Sequence, residues 1–269
     1  MLPIFSSPVP QHPSALFPIV MSKFQIFTPA EITSMRRAGK ILRECLQHTA
    51  KHVKPGITTL ELDRIAEEFI RSHEGAVPAF KGYRNYPCTL CTSVNDQCVH
   101  GLPGKRVLKE GDIIALDCGV MVDKLYTDAC ISVGVGKISS EAETFLRESE
   151  AALEKACALI APGVHIGDLS STIQQHVESK GYSCVQSLTG HGLGATLHQF
   201  PDIPNTGTAG TGPVLPVHTI IAVEPITAMG GGSIRDEGDG WTISTKDGSL
   251  SAHFEHTVLV TEKGHEILA

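Results

Sequence analysis

Ile113-Ile114-Ala115-Leu116-Asp117 and Ile220-Ile221-Ala222-Val223-Glu224 are two versions of one pattern: four apolar residues closed by a carboxylate. Each reads as a short buried strand, the first bounded by Gly111-Asp112. The two coincide under a shift of 107 residues, and that shift also carries Pro55-Gly56 onto Pro162-Gly163, Leu62 onto Leu169 and Ile70 onto Val177. Short apolar strings match by chance; separated segments matching in one register do so far less often. The chain therefore reads as two similar halves, each helix–helix–strand, packed about a pseudo-two-fold axis.

Working outward from the strands, helix signals fill the rest of each half. Thr28-Pro29-Ala30-Glu31 is a capping box with Pro at the first helical position. The helix it opens, with Ile32, Met35, Leu42, Cys45 and Leu46 at helical spacing, should stop before Pro55-Gly56. Thr58–Glu61 is a second capping box, followed by an apolar face of Leu62, Ile65, Ala66, Phe69 and Ile70. Residues 141–160 read as a third helix with Ser140 and Glu143 as its capping box. Residues 86–100 read as strand, and the chain from Val217 onward is strand-rich.

Composition narrows the function. Lys and Arg total 22 against 29 Asp and Glu, a net charge of −7, which argues against a nucleic-acid partner. No apolar run reaches membrane-spanning length. Eight cysteines in 269 residues are too sparse for a disulfide scaffold, and with a cytoplasmic location expected by default they read as reduced thiols. Residues 1–22 contain no Asp, Glu, Lys or Arg and hold five prolines. Neither a secretory nor a mitochondrial leader fits that composition. They read as a disordered extension, or as the product of a start upstream of Met21, ahead of one catalytic domain over 23–269.

The carboxylates carry the chemistry. Asp117 and Glu224 close the two matched strands. A second pair follows, with Asp128 preceding a strand over Ala129–Val133 and Glu255 preceding His256–Val260. Four carboxylates related by one axis converge on it, and four buried negative charges repel one another unless cations neutralise them. The requirement is a metal site, of two ions. His191 stands between glycines in Thr189-Gly190-His191-Gly192-Leu193-Gly194, which lets backbone approach closely and leaves the imidazole facing a ligand. His198 follows in Leu197-His198-Gln199-Phe200-Pro201, and His100 stands in Val99-His100-Gly101-Leu102-Pro103-Gly104. His176, on the apolar face of a helix, reads as structural. Cys88-Thr89-Leu90-Cys91 is a lone CxxC whose thiols, three apart in a strand, face opposite sides and make no zinc ribbon.

From about Phe27 to Leu268 the chain resembles the type I methionine aminopeptidases. The resemblance is carried by Cys98-Val99-His100-Gly101-Leu102-Pro103, Gly190-His191-Gly192-Leu193-Gly194, Val223-Glu224-Pro225 and His253-Phe254-Glu255-His256-Thr257, with Asp117 and Asp128 standing 11 apart. It implies an α/β (α+β) pita-bread fold and removal of the initiator Met from nascent proteins whose second residue is small. It implies two divalent ions, Co, Mn or Fe(II) with Zn left open, held by Asp117, Asp128, His191, Glu224 and Glu255. Asp117 would chelate one ion, His191 and Glu224 would hold the other, and Asp128 and Glu255 would bridge. His100, His198 and Glu224 would be catalytic. Tyr83, Tyr86, Cys91 and Trp241 would wall the methionine pocket beside His100 and His198. Its partners are nascent polypeptide N-termini, with a transient ribosome contact left open, no nucleic acid and no membrane, and the chain is expected to be a monomer.

Some positions depart from that pattern. Leu197 replaces a usual Phe, His253 a usual Gln, and Arg84 a His common near the pocket mouth; Gln199-Phe200-Pro201 lacks the acidic residue often found after this His. None removes a ligand. A prolidase or aminopeptidase P would carry a large N-terminal domain, for which there is no room before residue 28. A type II enzyme would carry a long insertion between its last two Glu ligands, which here stand 31 apart. A catalytically dead binding module would have lost ligands that this chain keeps.

Overall fold

The computed structural model describes residues 23–269; the expected N-terminal extension, 1–22, lies outside them. The first half runs α1 (Pro29–Ala50), α2 (Thr59–Arg71), β1 (Ala76–Pro78), β2 (Leu90–Val94), β3 (Gln97–Val99), β4 (Ile113–Val122) and β5 (Leu125–Gly134). The second half opens with α3 (Ser140–Cys157), α4 (Ile166–Ser179), β6 (Ser183–Cys184), β7 (Thr189–Gly192) and β8 (Gln199–Pro204). It continues with β9 (Ile220–Val223), β10 (Ile226–Ala228), β11 (Ile234–Asp236), β12 (Ile243–Thr245), β13 (Ser251–His253), β14 (His256–Thr261) and β15 (Gly264–Ile267).

Both capping boxes form. Thr28 and Glu31 bond reciprocally at the start of α1, as do Thr58 and Glu61 at α2. α2 and α4 begin 107 residues apart, and the equivalence extends to hydrogen bonds. Gly56 N–H donates to Leu108 O at 2.8 Å, and Gly163 N–H donates to Leu215 O at 3.0 Å. The isolated bridges Thr58–Val107 and His165–Val214 obey the same shift. Each half has its own core. Leu42, Leu62, Ile70, Ile114 and Leu116 pack in the first, and Phe145, Leu153, Leu169, Ile221 and Val258 in the second. Burying such a side chain fully contributes roughly 1.5–3 kcal/mol.

β4 is the spine of a four-stranded sheet. β1 and β2 share one of its edges and β5 takes the other. The second half has a five-stranded sheet in the order β15-β14-β9-β7-β8. The sheets meet where β5 passes β14. Glu255 N–H donates to Cys130 O at 2.9 Å, and Asp128 N–H donates to Thr257 Oγ1 at 2.9 Å.

Several elements differ from their sequence reading. The strand at Ile113 runs ten residues rather than four, and β5 begins at Leu125 rather than Ala129. Asp117 and Asp128 therefore stand inside strands, while Glu224 follows β9 and Glu255 precedes β14. The β4–β5 hairpin turns at Asp123 and Lys124, both at positive φ, and pairs without interruption, so the ladder runs past the carboxylates. The α3 cap is Ser139, whose side chain accepts from Ala142 N–H. With Ala142 at the third helical position no carboxylate reaches back, and the expected Ser140–Glu143 box does not form. Residues 86–100 give two short strands, broken at Asn95 (φ 61°), rather than one.

Candidate metal centre

The β4–β5 register pairs Asp117 with Cys130 and Gly119 with Asp128. Directly opposed residues share a face, so Asp117 and Asp128 project from the same side of the hairpin. Thr257 Oγ1 receives from Asp128 N–H and returns its own proton to Asp128 O at 2.6 Å. This side chain ties the Asp128 backbone to β14, one residue beyond the strand's start after Glu255.

His191 enters from β7. A methyl group on Gly190 would strike the carbonyl of Ala222, and one on Gly192 the carbonyl of Phe200. Both glycines are therefore needed for the close packing of β7 against its neighbours. His191 Nδ1 lies 3.0 Å from Gly192 O, which assigns the Nδ1 proton to that carbonyl and leaves Nε2 bare. Nε2 lies 3.5 Å from Glu224 Oε1 and 3.9 Å from Asp128 Oδ2. Asn205 Nδ2 donates to Glu224 O at 3.0 Å and steadies that backbone. His253, at the end of β13, places Nε2 3.5 Å from Glu224 Oε2 and 3.7 Å from Glu255 Oε2.

Asp128, His191 and Glu255 each offer a ligand atom within 4.8 Å of the others. Asp117 Oδ1, Asp128 Oδ1 and Glu255 Oε1 are buried with no hydrogen-bond partner among the described residues. Orphaned anionic oxygens in one buried cluster are the condition a divalent cation resolves, and the donor set fits one. Burial pushes the Asp117 carboxyl up to about 6, with Glu224 adding to the rise and His253 opposing it. Burial and the neighbouring carboxylates push Asp128 and Glu255 well above the usual range. Burial disfavours the His253 cation, but Glu224 and Asp117 overcome that and raise its pKa.

These groups line one cavity of about 170 Å³ together with the expected catalytic and pocket residues His100, His198, Tyr83, Tyr86, Cys91 and Trp241. Phe80 and Leu197 complete its apolar wall. Tyr86 donates to Leu90 O at 2.8 Å and meets Trp241 edge-on at 4.9 Å. Trp241 is presented by a turn in which Gly240 has φ 85° and Asp239 accepts from Trp241 N–H at 2.9 Å. The His198 ring lies 4.3 Å from that of His191, and its Nδ1 is 3.3 Å from Tyr83 Oη. Desolvation, His191, His100 and Arg84 hold His198 well below the ordinary imidazole pKa. His100, at φ 57°, is also held low, by burial first and His253 second, with Glu224 opposing.

His176 is tied to Lys155 and Glu148, away from the cavity. Cys88 precedes β2 and Cys91 lies within it, its thiol pushed up by burial beside Asp117. Phe80 went unread in the sequence, and Thr257 was quoted within a motif without a role. Phe80 carries no local signal beyond hydrophobicity; Thr257 stands two residues after Glu255 and could have been read as its companion.

Metallopeptidase family M24 matches residues 33–262. The chain is 48% identical over 238 residues to the methionine aminopeptidase of Clostridium perfringens, covering 88% of this chain and 95% of that relative. The crystal structure of methionine aminopeptidase from Thermotoga maritima is similar with a TM-score of 0.90 and 42% identity, covering 91% of this chain and 99% of that one. The prolidase from Pyrococcus furiosus, at 20% identity and TM-score 0.72, shares the fold; the match covers 90% of this chain and 64% of the prolidase.

Proposed function

The chain belongs to metallopeptidase family M24, and on that premise we propose that it is a metal-dependent methionyl aminopeptidase, removing the initiator Met from nascent proteins whose second residue is small. Its fold is the pita-bread fold of that family. The observation that carries the reading is the cluster of buried, partnerless carboxylate oxygens beside an apolar pocket.

Asp117, Asp128, His191, Glu224 and Glu255 are the proposed ligands of two divalent ions. Asp117 would help to hold one ion, His191 and Glu224 the other, and Asp128 and Glu255 would contribute to both. A set rich in oxygen, with one imidazole and no thiolate, suits Mn, Fe(II) or Co. Such cations supply Lewis acidity toward the scissile carbonyl and the attacking water.

The protein's own groups do the rest. Phe80, Tyr86, Cys91, Leu197 and Trp241 receive the unbranched thioether side chain and exclude water around it. Glu224 takes the proton of the attacking water and returns it to the leaving amine. His198 accepts from Tyr83 Oη at Nδ1, which frees its Nε2–H for the developing oxyanion. Its lowered pKa keeps it a neutral donor at pH 7. His100 holds the nitrogen of the scissile bond. We place the catalytic unit at 23–269, acting as a monomer on nascent N-termini, since one chain supplies every group named. A cytoplasmic location is supported by eight cysteines without a disulfide.

The test is hydrolysis of Met-Ala-Ser after metal removal and re-addition, with X-Pro peptides alongside. Cation-dependent release of Met alone is expected. Cleavage of X-Pro with no Met release would replace this reading with a prolidase.

A further inference from the structure

His253 is fully enclosed, yet both its ring nitrogens lack a hydrogen-bond partner among the described residues. Its backbone is clamped. His253 N–H donates to Ser132 Oγ at 3.1 Å, and Ser132 Oγ donates to His253 O at 2.8 Å. The imidazole is therefore presented from a fixed point, with Nε2 facing one oxygen of Glu224 and one of Glu255. At 3.5 and 3.7 Å these are electrostatic contacts rather than formed hydrogen bonds. The other Glu224 oxygen faces His191, so two imidazoles flank one carboxylate.

Two roles fit a histidine there, and the ring's far side separates them. As a metal ligand through a bare Nε2, it would bury an Nδ1–H with no acceptor. Buried orphan donors are rare, and ligating imidazoles anchor the opposite N–H, as His191 does on Gly192 O. As an Nε2–H donor, it aims its proton between two anionic oxygens and leaves only a lone pair unmatched at Nδ1, the lesser cost.

We infer that His253 is a positioning residue, not a sixth ligand, whose Nε2–H spans Glu224 and Glu255 and holds both carboxylates ready to receive cations. The inference rests on those carboxylates being metal ligands, as proposed above.

The experiment is calorimetric titration of Mn(II) into the metal-stripped full chain, paired with the visible absorption spectrum of the Co(II) form. His253→Gln keeps an N–H donor, and His253→Leu keeps bulk alone. His253→Ala replaces the Leu variant if circular dichroism shows that one unfolded. Expected are Mn(II) binding weakened roughly 10–100-fold in His253→Leu, near-parental binding in His253→Gln, and an unchanged Co(II) spectrum in the latter. Parental affinity in His253→Leu would overturn the inference. So would a His253→Gln variant that loses affinity as the Leu variant does and shifts the Co(II) bands, since that marks the imidazole as a ligand. Glu255→Gln separates this from the wider reading. If it binds Mn(II) like the parent, the carboxylate assignment fails, whereas a failure confined to His253 leaves it standing.

Discussion

The two halves carry the same helix–helix–strand pattern and use it differently. The first half sets Asp117 and Asp128 inside ten-residue strands, on a hairpin hydrogen-bonded along its length and flanked by Cys91 and Cys130. The second sets Glu224 and Glu255 at the ends of shorter strands, next to the imidazoles of His191 and His253. The first is a hairpin plate that brings two carboxylates and no imidazole of its own strands; the second brings two carboxylates with an imidazole beside each. One repeated pattern thus presents its carboxylates from the middle of long strands in one half and from strand ends in the other.

The sharpest way to break that contrast is to remove one carboxylate from each side. Asp128→Asn and Glu255→Ala should both lose bound metal and fall to background activity while keeping their far-ultraviolet circular dichroism. The loss in kcat/KM should be on the order of 10³ or more, given several kcal/mol of Lewis-acid stabilisation. Full activity and unchanged metal content in Glu255→Ala would remove the second half from the site.

The imidazoles of the cavity should separate from the carboxylates. His100→Ala and His198→Ala should retain most of their metal by elemental analysis and lose rate by roughly 10²–10⁴. A His198 variant that loses its metal would make that residue a ligand.

The plate should also betray itself without metal. A carboxyl whose folded pKa is raised binds protons that the unfolded chain has released, so the folded state weakens as pH rises between the two values. For Asp117 that window runs from 3.8 to about 6, and for Asp128 and Glu255 it likewise opens upward from the ordinary carboxylate range. His253, also raised, stabilises below its unfolded pKa and acts in the same direction. Asp117 alone corresponds to about 3 kcal/mol. The chelated protein should therefore melt several degrees lower at pH 8 than at pH 4.5. Mn(II) should remove the difference and Asp117→Asn should reduce it. A chelated Tm that rises over this range would contradict the crowding of charges on the plate.

The smallest effect concerns neither half. A chain begun at Met21 should match the full one in Tm and kcat/KM. A drop of several degrees or a tenfold loss in rate would show that residues 1–20 contribute to the domain.

What the sequence disclosed follows the range of the forces involved. Thr28–Glu31 and Thr58–Glu61 were readable because a capping box is complete within four residues. The repeat was readable because Gly56 and Gly163 repeat one local task. Strand length was not. Residues 118–122 include Gly119, a poor strand former, and belong to β4 because β1 and β2 pair along the same edge. The contact of His253 with Glu224 was also hidden, because it depends on β13 and β9 meeting at the axis. Only the oddness of a histidine at that position hinted at it.

The cavity has a consequence in time as well as in chemistry. Asp117, Asp128, His191 and Glu255 are all buried behind its mouth, so a peptide end reaches them only as a bare, extended thread. An N-terminus already packed into its own domain, or paired as a strand, cannot present one. Cleavage is therefore a race against the folding of the substrate. The bond that is cut depends on how long each new chain keeps its first residues loose, a property of the substrate's folding rate that no side chain in the pocket can read.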